Sequence, residues 1–341
     1  MKYNFLGNTG LKVSELCLGT MTFGDNGAAA GMWAAIGQLE QNAVDEIIKT
    51  SVDAGINFID TANVYSFGAS ETLTGKAIRN LGLKREDLVI ATKVRGKMSD
   101  KPNDIGLSRK HIIQQCNESL QRLNMDYIDL YQIHGFDALT PFEEILAALD
   151  NLVQSGKVRY IGCSNLAAWQ LMKALGIAAI NHLSKFVSLQ AYYTIAGRDL
   201  EREIIPLLLD QKIGLMVWSP LAGGFLSGKY GRNIKPEDSR RVNFDFPPIN
   251  KEKAFDILDV MHEMAKEKNI SVAQLALAWL LHKPAVTTVI IGAKKQEQLK
   301  DNLGATEIVL SKEEMEKLDH ISKLTPEYPA WMIERQGFDR K

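Results

Sequence analysis

Short apolar segments alternate with amphipathic segments along most of the chain. The apolar segments are rich in β-branched residues, as in LVIATK (88–93) and IDLYQIH (128–134), which is typical of strands that are buried on both faces. The amphipathic segments carry apolar residues at helical spacing, for example Ile112, Cys116 and Leu120. The pattern therefore predicts strands that are each followed by a helix.

This alternation predicts eight strands in one chain. The strands are expected at 16–18, 57–60, 88–93, 128–134, 160–164, 187–190, 214–218 and 288–291. Helices are expected at 41–54, 70–80, 108–123 with Ser108 as the N-cap, 141–154, 166–177, 201–211, 253–268, 271–281, 296–303 and 312–324. Eight such units favour an α/β fold of the closed (β/α)8 TIM barrel type over a doubly wound sheet.

Two further features complete the predicted architecture. Residues 3–14 alternate around Gly7 and Gly10, which is typical of a β-hairpin, and we expect this N-terminal β-hairpin to cap the barrel. Extra helices are expected near the C-terminus. No linker composition separates a second domain, so residues 1–341 are predicted to form a single barrel domain.

Each of the eight predicted strands ends in a polar residue or glycine or is directly followed by one. Because the C-terminal ends of barrel strands meet at one mouth, these residues are expected to converge there. A single polar residue at a strand end is most often structural, but eight such strand ends are hard to obtain from packing alone. The residues are Gly19, Thr20, Asp60, Lys93, His134, Ser164, Asn165, Gln190, Trp218, Ser219 and Gly292.

Four residues at this mouth have complementary chemistry. Tyr65 follows the strand that ends at Asp60, and a phenol with a pKa near ~10 needs a nearby cation to exchange its proton easily. Lys93 can supply that cation, Asp60 can keep Lys93 charged, and His134 can donate a hydrogen bond to a substrate oxygen. Together they predict general acid catalysis on a carbonyl. For the segment of Asp60 and Tyr65 alone, a capping aspartate and a surface tyrosine remain the alternative.

A proton donor alone reduces nothing, so a hydride source is required. No GxGxxG motif follows a predicted strand, which disfavours a Rossmann dinucleotide site. The loops after the seventh and eighth strands, at 219–230 and 291–302, are the phosphate-binding region of such barrels. Lys229 lies in the first loop, and Lys294 and Lys295 precede a helix in the second, although a solvated surface turn also explains two such lysines.

Composition narrows the possible partners. The formal net charge is -1, with 45% hydrophobic and 24% charged residues, which favours a small-molecule ligand over nucleic acid or a membrane surface. The three cysteines are far apart, and the chain has no apolar segment long enough to span a bilayer, so we expect a cytoplasmic protein without disulfides. A metal-dependent hydrolase is disfavoured, because the strand ends lack clustered His and Asp ligands.

The chain resembles the aldo-keto reductase superfamily over nearly its whole length, and most fully the branch that includes potassium-channel β subunits. The matching segments include GTMTFG, GINFIDTANVYSFGASE, DLYQIHGFD, YIGCSN, WSPLAGGFLSGKY and VIIGAKKQEQLKDNLGA. The resemblance implies a (β/α)8 barrel and NAD(P)H-dependent carbonyl reduction. It also implies that Tyr65 is the general acid/base, that Lys93 and Asp60 tune it, and that His134 orients the carbonyl.

The resemblance also implies a cofactor site around the mouth. Ser164, Asn165 and Gln190 would hold the carboxamide, and Trp218 would stack on the nicotinamide where many relatives have Tyr. The expected cofactor residues are Gly19, Thr20, Met21, Asp60, Ser164, Asn165, Gln190, Trp218, Ser219, Pro220, Leu221, Gly223, Lys229, Gly292, Lys294, Gln298, Asp301 and Asn302.

Cofactor preference rests on the loop after the last strand. The best-known relatives have a Lys-Ser pair and an Arg where this chain has Gly292, Ala293 and Gln298. Lys294 is a weaker partner than a guanidinium for the 2′-phosphate, so NADP(H) is favoured and NAD(H) stays possible.

Substrate contacts are expected from variable loops. Phe23, Trp33, Tyr65 and His134 are the candidate pocket residues for a small-molecule carbonyl or alcohol, together with 233–248. For the aromatic residues of the first loop, packing of the loop on the barrel is the alternative. The tail 328–341 either closes over the mouth or docks on a neighbouring subunit, so monomer and homo-oligomer both stay open. An NADP(H)-binding redox-sensing regulatory subunit with slow turnover is the alternative function.

Overall fold

The computed structural model describes residues 1–24, 33, 36, 38–232, 234, 236, 241 and 244–338. The strands are β1 Tyr3–Phe5, β2 Lys12–Ser14, β3 Leu16–Gly19, β4 Phe58–Asp60, β5 Val89–Val94, β6 Ile128–Ile133, β7 Val158–Ser164, β8 Phe186–Tyr192, β9 Gly214–Trp218 and β10 Val286–Ile291. The first two strands form an N-terminal hairpin, and the other eight are parallel and close into a barrel in the order β10-β3-β4-β5-β6-β7-β8-β9. The predicted (β/α)8 architecture is confirmed.

Helices surround this barrel. They are α1 Gln41–Asp53, α2 Ala69–Asn80, α3 Arg109–Leu123, α4 Phe142–Gln154, α5 Ala168–Ile180, α6 Ile204–Gln211, α7 Lys251–Lys268, α8 Val272–Leu281, α9 Gln296–Leu303, α10 Lys312–Ile321 and α11 Ala330–Phe338. Ser108 caps α3 as predicted, since its hydroxyl accepts a hydrogen bond from the backbone N–H of His111. The helix α11 was not predicted and lies in what the sequence analysis treated as a tail.

The main hydrophobic core lies between the barrel wall and the helices. Outward-facing strand residues such as Leu18, Ile90 and Tyr131 are fully buried against the helices. A second cluster fills the barrel interior, with Cys17 and Phe58 among its inward-facing residues. The strands are therefore buried on both faces, which explains why their sequences are apolar runs and do not alternate with polar residues.

The N-terminal hairpin closes one end of the barrel. Leu6 and Val13 are fully buried and pack on the interior cluster. Gly7 has φ +59°, and a Cβ at this position would lie 2.3 Å from the carbonyl oxygen of Val187, so the hairpin turn packs directly on the strand backbone. The predicted cap is confirmed, and any ligand must enter from the opposite end, where the strands have their C-termini.

Candidate active site

The structure brings the four predicted catalytic residues together at the open mouth of the barrel. Asp60 is the last residue of β4, Lys93 lies on β5, and His134 directly follows β6. The ammonium of Lys93 donates hydrogen bonds to Asp60 Oδ2 at 2.6 Å and to the Tyr65 hydroxyl at 3.3 Å. The His134 ring meets the Tyr65 ring edge-on at 5.8 Å between centroids. Their catalytic roles stay predictions.

The backbone that presents Tyr65 adopts an uncommon conformation. Ser66 and Phe67 have φ of 48° and 52°, and Gly68 has φ of 94°, so three consecutive residues are left-handed. Such a conformation costs roughly 1–3 kcal/mol for each residue other than glycine and persists only when the surrounding structure holds it. Ser70 helps to hold it, because its hydroxyl donates to the carbonyl oxygen of Thr20 at 2.8 Å.

Glu71 fixes the helix that follows this turn. Its buried carboxylate accepts hydrogen bonds from the Thr92 hydroxyl at 2.5 Å and from Arg122 Nε at 2.6 Å. Thr92 directly precedes Lys93 on β5. A Cβ at Gly68 would lie 2.5 Å from Cδ of Arg122, so glycine is also required for close packing. Residues 68–71 therefore stabilise the turn that presents Tyr65, and the polar side chains among them have structural partners.

The pKa of Tyr65 differs from the expectation that a neighbouring Lys93 lowers it. Burial raises the pKa of Tyr65, the positive charge of Lys93 lowers it and the charge of Asp60 raises it again, and the balance lies above the ordinary value. Burial lowers the pKa of Lys93, but Asp60 and Tyr65 raise it to a net position above its usual value. Lys93 is therefore charged as predicted, whereas its charge does not by itself make the Tyr65 phenol acidic.

His134 is neutral in this environment. Burial, together with the positive charges of Lys93 and Arg95, lowers the pKa of His134 to about 3. A neutral imidazole carries one N–H donor and one acceptor nitrogen. The ring can therefore donate a hydrogen bond to a substrate oxygen at neutral pH without adding a positive charge to the site.

Two glutamines hold the second oxygen of Asp60. Gln190 Nε2 on β8 donates to Asp60 Oδ1 at 2.9 Å, and Gln132 Nε2 on β6 donates to the same atom at 3.1 Å. Gln190 was predicted at the mouth, but its expected partner was the carboxamide of the nicotinamide and not Asp60. Gln132 was missed, but one signal could have found it: it lies two residues before His134, so it faces the same interior.

The remaining residues predicted around the nicotinamide are joined by hydrogen bonds. The Ser164 hydroxyl donates to the carbonyl oxygen of Gln190 at 2.9 Å. The Asn165 side chain donates to the carbonyl oxygen of His134 at 3.2 Å and accepts from Trp218 Nε1 at 3.1 Å. These contacts link the ends of β6, β7, β8 and β9. They form a hydrogen-bonded set of polar groups beside the indole of Trp218.

The loop after β9 makes a tight turn. Ser219 Oγ accepts a hydrogen bond from the N–H of Gly223 at 2.9 Å, and Gly223 has φ +65°. Arg241, which the sequence analysis missed, donates to the carbonyl oxygens of Ala222 at 2.6 Å and Pro247 at 2.9 Å. Its buried guanidinium therefore links the later part of the loop, at Pro247, to the turn at Ala222.

The predicted cofactor residues after β10 differ in their exposure to solvent. Gly292, Lys294 and Gln298 are exposed near the start of α9, and Lys294 Nζ donates to Gln38 Oε1 at 3.0 Å. Asp301 instead accepts a hydrogen bond from the Ser271 hydroxyl at 2.8 Å. Because Ser271 is the N-cap of α8, this hydrogen bond gives Asp301 a structural role. Asn302 is buried, and the exposed side chain of Lys229 lies in the loop after β9.

The predicted pocket residues divide into two groups. Trp33 packs on Tyr65 with 5.6 Å between ring centroids, at the mouth. Phe23 is fully buried in the core between barrel and helices, so it packs its loop onto the barrel, the alternative stated above. Phe246 stacks on Trp218 at 5.9 Å and extends the aromatic wall. The expected contacts at 233, 235, 237–240, 242 and 243 lie outside the described residues, as do 339–341 of the tail.

The remaining features of the chain are its cysteines, its possible metal ligands and the length of its helices. Cys17, Cys116 and Cys163 are buried free thiols. Within the described ranges, the structure has no group of three His, Cys, Asp or Glu side chains that could hold a metal ion. None of the helices in the described part of the chain is both long and apolar enough to cross a bilayer.

Comparison with known proteins identifies the family. The aldo/keto reductase family matches residues 15–323, which include the whole barrel and all four mouth residues. The chain belongs to the aldo/keto reductase family. Members of this family generally use nicotinamide cofactors.

Relatives of this chain are similar over nearly their full lengths. The uncharacterised oxidoreductase YrpG of Bacillus subtilis is 39% identical, covering 97% of this chain and 100% of the relative. A probable voltage-gated potassium channel subunit beta of Arabidopsis thaliana is 36% identical, covering 96% and 99%. A putative aryl-alcohol dehydrogenase of Schizosaccharomyces pombe is 39% identical, covering 93% and 94%. The family and these relatives identify the chain as an oxidoreductase.

Proposed function

We propose that this chain is an NADP(H)-dependent carbonyl reductase, or an alcohol dehydrogenase when run in reverse, with Tyr65 as its general acid/base. The observation that carries the proposal is the buried contact of the Lys93 ammonium with both Asp60, at 2.6 Å, and Tyr65, at 3.3 Å. A buried lysine held by one carboxylate is a costly arrangement for structure alone, and perturbed ionisable groups concentrate at functional sites.

The described mouth has the features that a nicotinamide cofactor requires. Trp218 offers a partly exposed indole beside the amide and hydroxyl groups of Asn165, Ser164 and Gln190. The turn at Gly223 leaves no room for a side chain, since a Cβ there would lie 2.4 Å from the carbonyl oxygen of Phe246. A glycine-bearing turn of this kind suits a pyrophosphate, and an exposed lysine at the start of α9 suits a 2′-phosphate.

Residues Trp218, Asn165, Ser164 and Gln190 would hold a nicotinamide that would supply the hydride, and the protein groups act on the substrate oxygen. The neutral His134 ring donates a hydrogen bond that orients the carbonyl towards Tyr65. As the carbonyl oxygen gains negative charge, the Tyr65 hydroxyl gives it a proton, and the adjacent Lys93 ammonium stabilises the tyrosinate that remains. The contact with Asp60 at 2.6 Å raises the pKa of Lys93 and so keeps its ammonium charged.

The aromatic surroundings of Tyr65 favour an aryl or other flat apolar carbonyl as substrate. Trp33 packs on Tyr65 on one side, and Trp218 and Phe246 form a stacked pair at the same mouth. Among the relatives, a putative aryl-alcohol dehydrogenase carries a name that agrees with this choice. A panel of benzaldehydes, aliphatic aldehydes and ketones with NADPH and NADH is the appropriate screen.

The decisive variant is Tyr65→Phe, which removes one hydroxyl. We expect kcat for aldehyde reduction to fall by roughly 10²–10⁴-fold, while NADPH binding, followed by quenching of tryptophan fluorescence, is retained. Tyr3→Phe is the matched control, because Tyr3 also loses one hydroxyl hydrogen bond, to Gly55, but lies on the hairpin at the closed end. Unchanged turnover in Tyr65→Phe would refute the proposed role.

A regulatory subunit that senses the redox state of NADP(H) is the second candidate, and the similarity to the channel subunit of Arabidopsis thaliana favours it. Turnover far below about 1 per second on the whole panel, against typical enzyme values of roughly 1–10³ per second, together with tight NADPH binding and a stable protein partner, would select this function.

A further inference from the structure

Gln132 is a buried polar side chain in the interior of the barrel. It lies on β6, is fully buried, and pairs in register with Lys93 on one side and Gly162 on the other. Its Nε2 atom donates to Asp60 Oδ1 at 3.1 Å, opposite the 2.6 Å contact between Asp60 Oδ2 and Lys93. Gln132 therefore contacts the residue that keeps Lys93 charged, and it does not contact Tyr65 directly.

The orientation of the Gln132 amide is set by Asp60. The reverse orientation would direct Oε1 at Asp60 Oδ1 and oppose two acceptors. In the observed orientation Oε1 is buried and has no hydrogen-bond partner within the described residues, and the same holds for the hydroxyl of Ser188 on the other side of Gly162. A buried polar atom without a partner costs about 1–3 kcal/mol. An apolar residue would avoid that cost, so packing alone does not explain why position 132 is a glutamine.

Gln132 and Gln190 share Asp60 Oδ1, but they lie at different depths. The register pairs Gln190 with Ser164 on β7, whereas Gln132 pairs with Gly162, one inward-facing position further from the mouth. Gln190 is therefore beside the predicted carboxamide site, where a bound cofactor can compete for its amide. Gln132 is deeper and is the donor that stays on Asp60 when a ligand occupies the mouth.

We propose that Gln132 is a positioning residue that holds the Asp60 carboxylate aimed at Lys93, and thereby limits the proton affinity of Tyr65. This inference rests on the proposed carbonyl reductase activity. A hydrogen bond to Oδ1 disperses the negative charge of Asp60. Without it the full charge of Asp60 acts on Tyr65, and because that charge favours the protonated phenol, the pKa of Tyr65 rises.

Two of the ionisable groups near Tyr65, Cys17 and His134, do not contribute to the pH dependence used in the test. The groups that face Tyr65 are Lys93 on β5, Asp60 on β4, Cys17 on β3 and His134 after β6. Burial holds the pKa of Cys17 well above its usual range, and His134 is neutral above a pKa of about 3. A change in the alkaline pH dependence can therefore be assigned to Tyr65 and its Asp60–Lys93 pair.

The test is Gln132→Met in the full chain, which keeps the side-chain length and removes the donor. The readout is the midpoint of the pH profile of kcat/KM for alcohol oxidation with NADP⁺, which follows ionisation of Tyr65. We expect the midpoint to move up by about half a pH unit or more, which is roughly a threefold lower rate at each pH below it. Gln132→Leu is expected to give the same shift and replaces the Met variant if that one does not fold.

The control is Gln115→Leu, which removes a buried glutamine whose partners are Asn63 and Glu118. It should keep the wild-type midpoint even if stability falls. A midpoint within about 0.2 units of wild type in both Gln132 variants, whatever the height of the plateau, would overturn the positioning role alone. A wild-type protein that turns over no substrate of the panel would instead overturn the proposed function on which this inference rests.

Discussion

The ammonium of Lys93 lies 2.6 Å from Asp60 Oδ2, and both side chains are almost completely buried. Lys93 also donates to the carbonyl oxygen of Thr61 at 2.7 Å. Removal of either charged partner leaves the other uncompensated in the barrel interior. This pair therefore couples the stability of the barrel to the chemistry that we propose for its mouth.

Asp60→Asn and Lys93→Met should each lower the free energy of unfolding by about 3–5 kcal/mol, because each leaves one buried charge without its partner. The double variant should lose less than the sum of the two, with a coupling of about 1–3 kcal/mol. Urea denaturation measures all four proteins. The exposed pair Lys49–Asp53, at 2.5 Å, is the matched control and should show a coupling of about 0–1 kcal/mol. Equal couplings in the two pairs would contradict the expected role of burial.

The rate of carbonyl reduction should be nearly constant from about pH 5 to pH 9. His134, whose pKa is lowered to about 3 by burial and by Lys93 and Arg95, stays neutral over this range. Burial raises the pKa of Tyr65, so the phenol stays protonated until the pH passes its ordinary value of about 10. Since the acid must be protonated, activity is lost only as pH rises through that raised pKa. A pH profile of kcat/KM with a limb near 6.5 would show that His134 titrates and would contradict this assignment.

Gly223→Ala should weaken NADPH binding about tenfold, which corresponds to roughly 1.4 kcal/mol. The added Cβ would lie 2.4 Å from the carbonyl oxygen of Phe246 and 3.2 Å from Nη1 of Arg241, so the turn after β9 must shift. Gly224→Ala is the control: its φ of +93° is also unfavourable for alanine, but nothing lies within 4 Å of a Cβ built at this position. Fluorescence titration of both variants checks the difference. A larger loss in Gly224→Ala would mean that backbone strain, and not the contact with Phe246, controls this turn.

Local patterns in the sequence were sufficient for the architecture and for most residues of the mouth. Burial on both faces makes barrel strands apolar, and helical spacing marks the segments between them, so the order of elements follows from short windows of sequence. Polar residues that end apolar strands, such as Asp60, Lys93 and His134, could be recognised in the same way, because the C-terminal ends of the strands must meet at one mouth.

Only the tertiary structure decided which of these side chains share a partner. Gln132 and Gln190 are 72 and 130 residues from Asp60 in the chain, yet both donate to one of its oxygens. The closure of the barrel brings these strands opposite each other, and no local window contains that information. The direction of the Tyr65 pKa was likewise set by the balance of burial, Lys93 and Asp60, which depends on depth and distance and not on residue type alone.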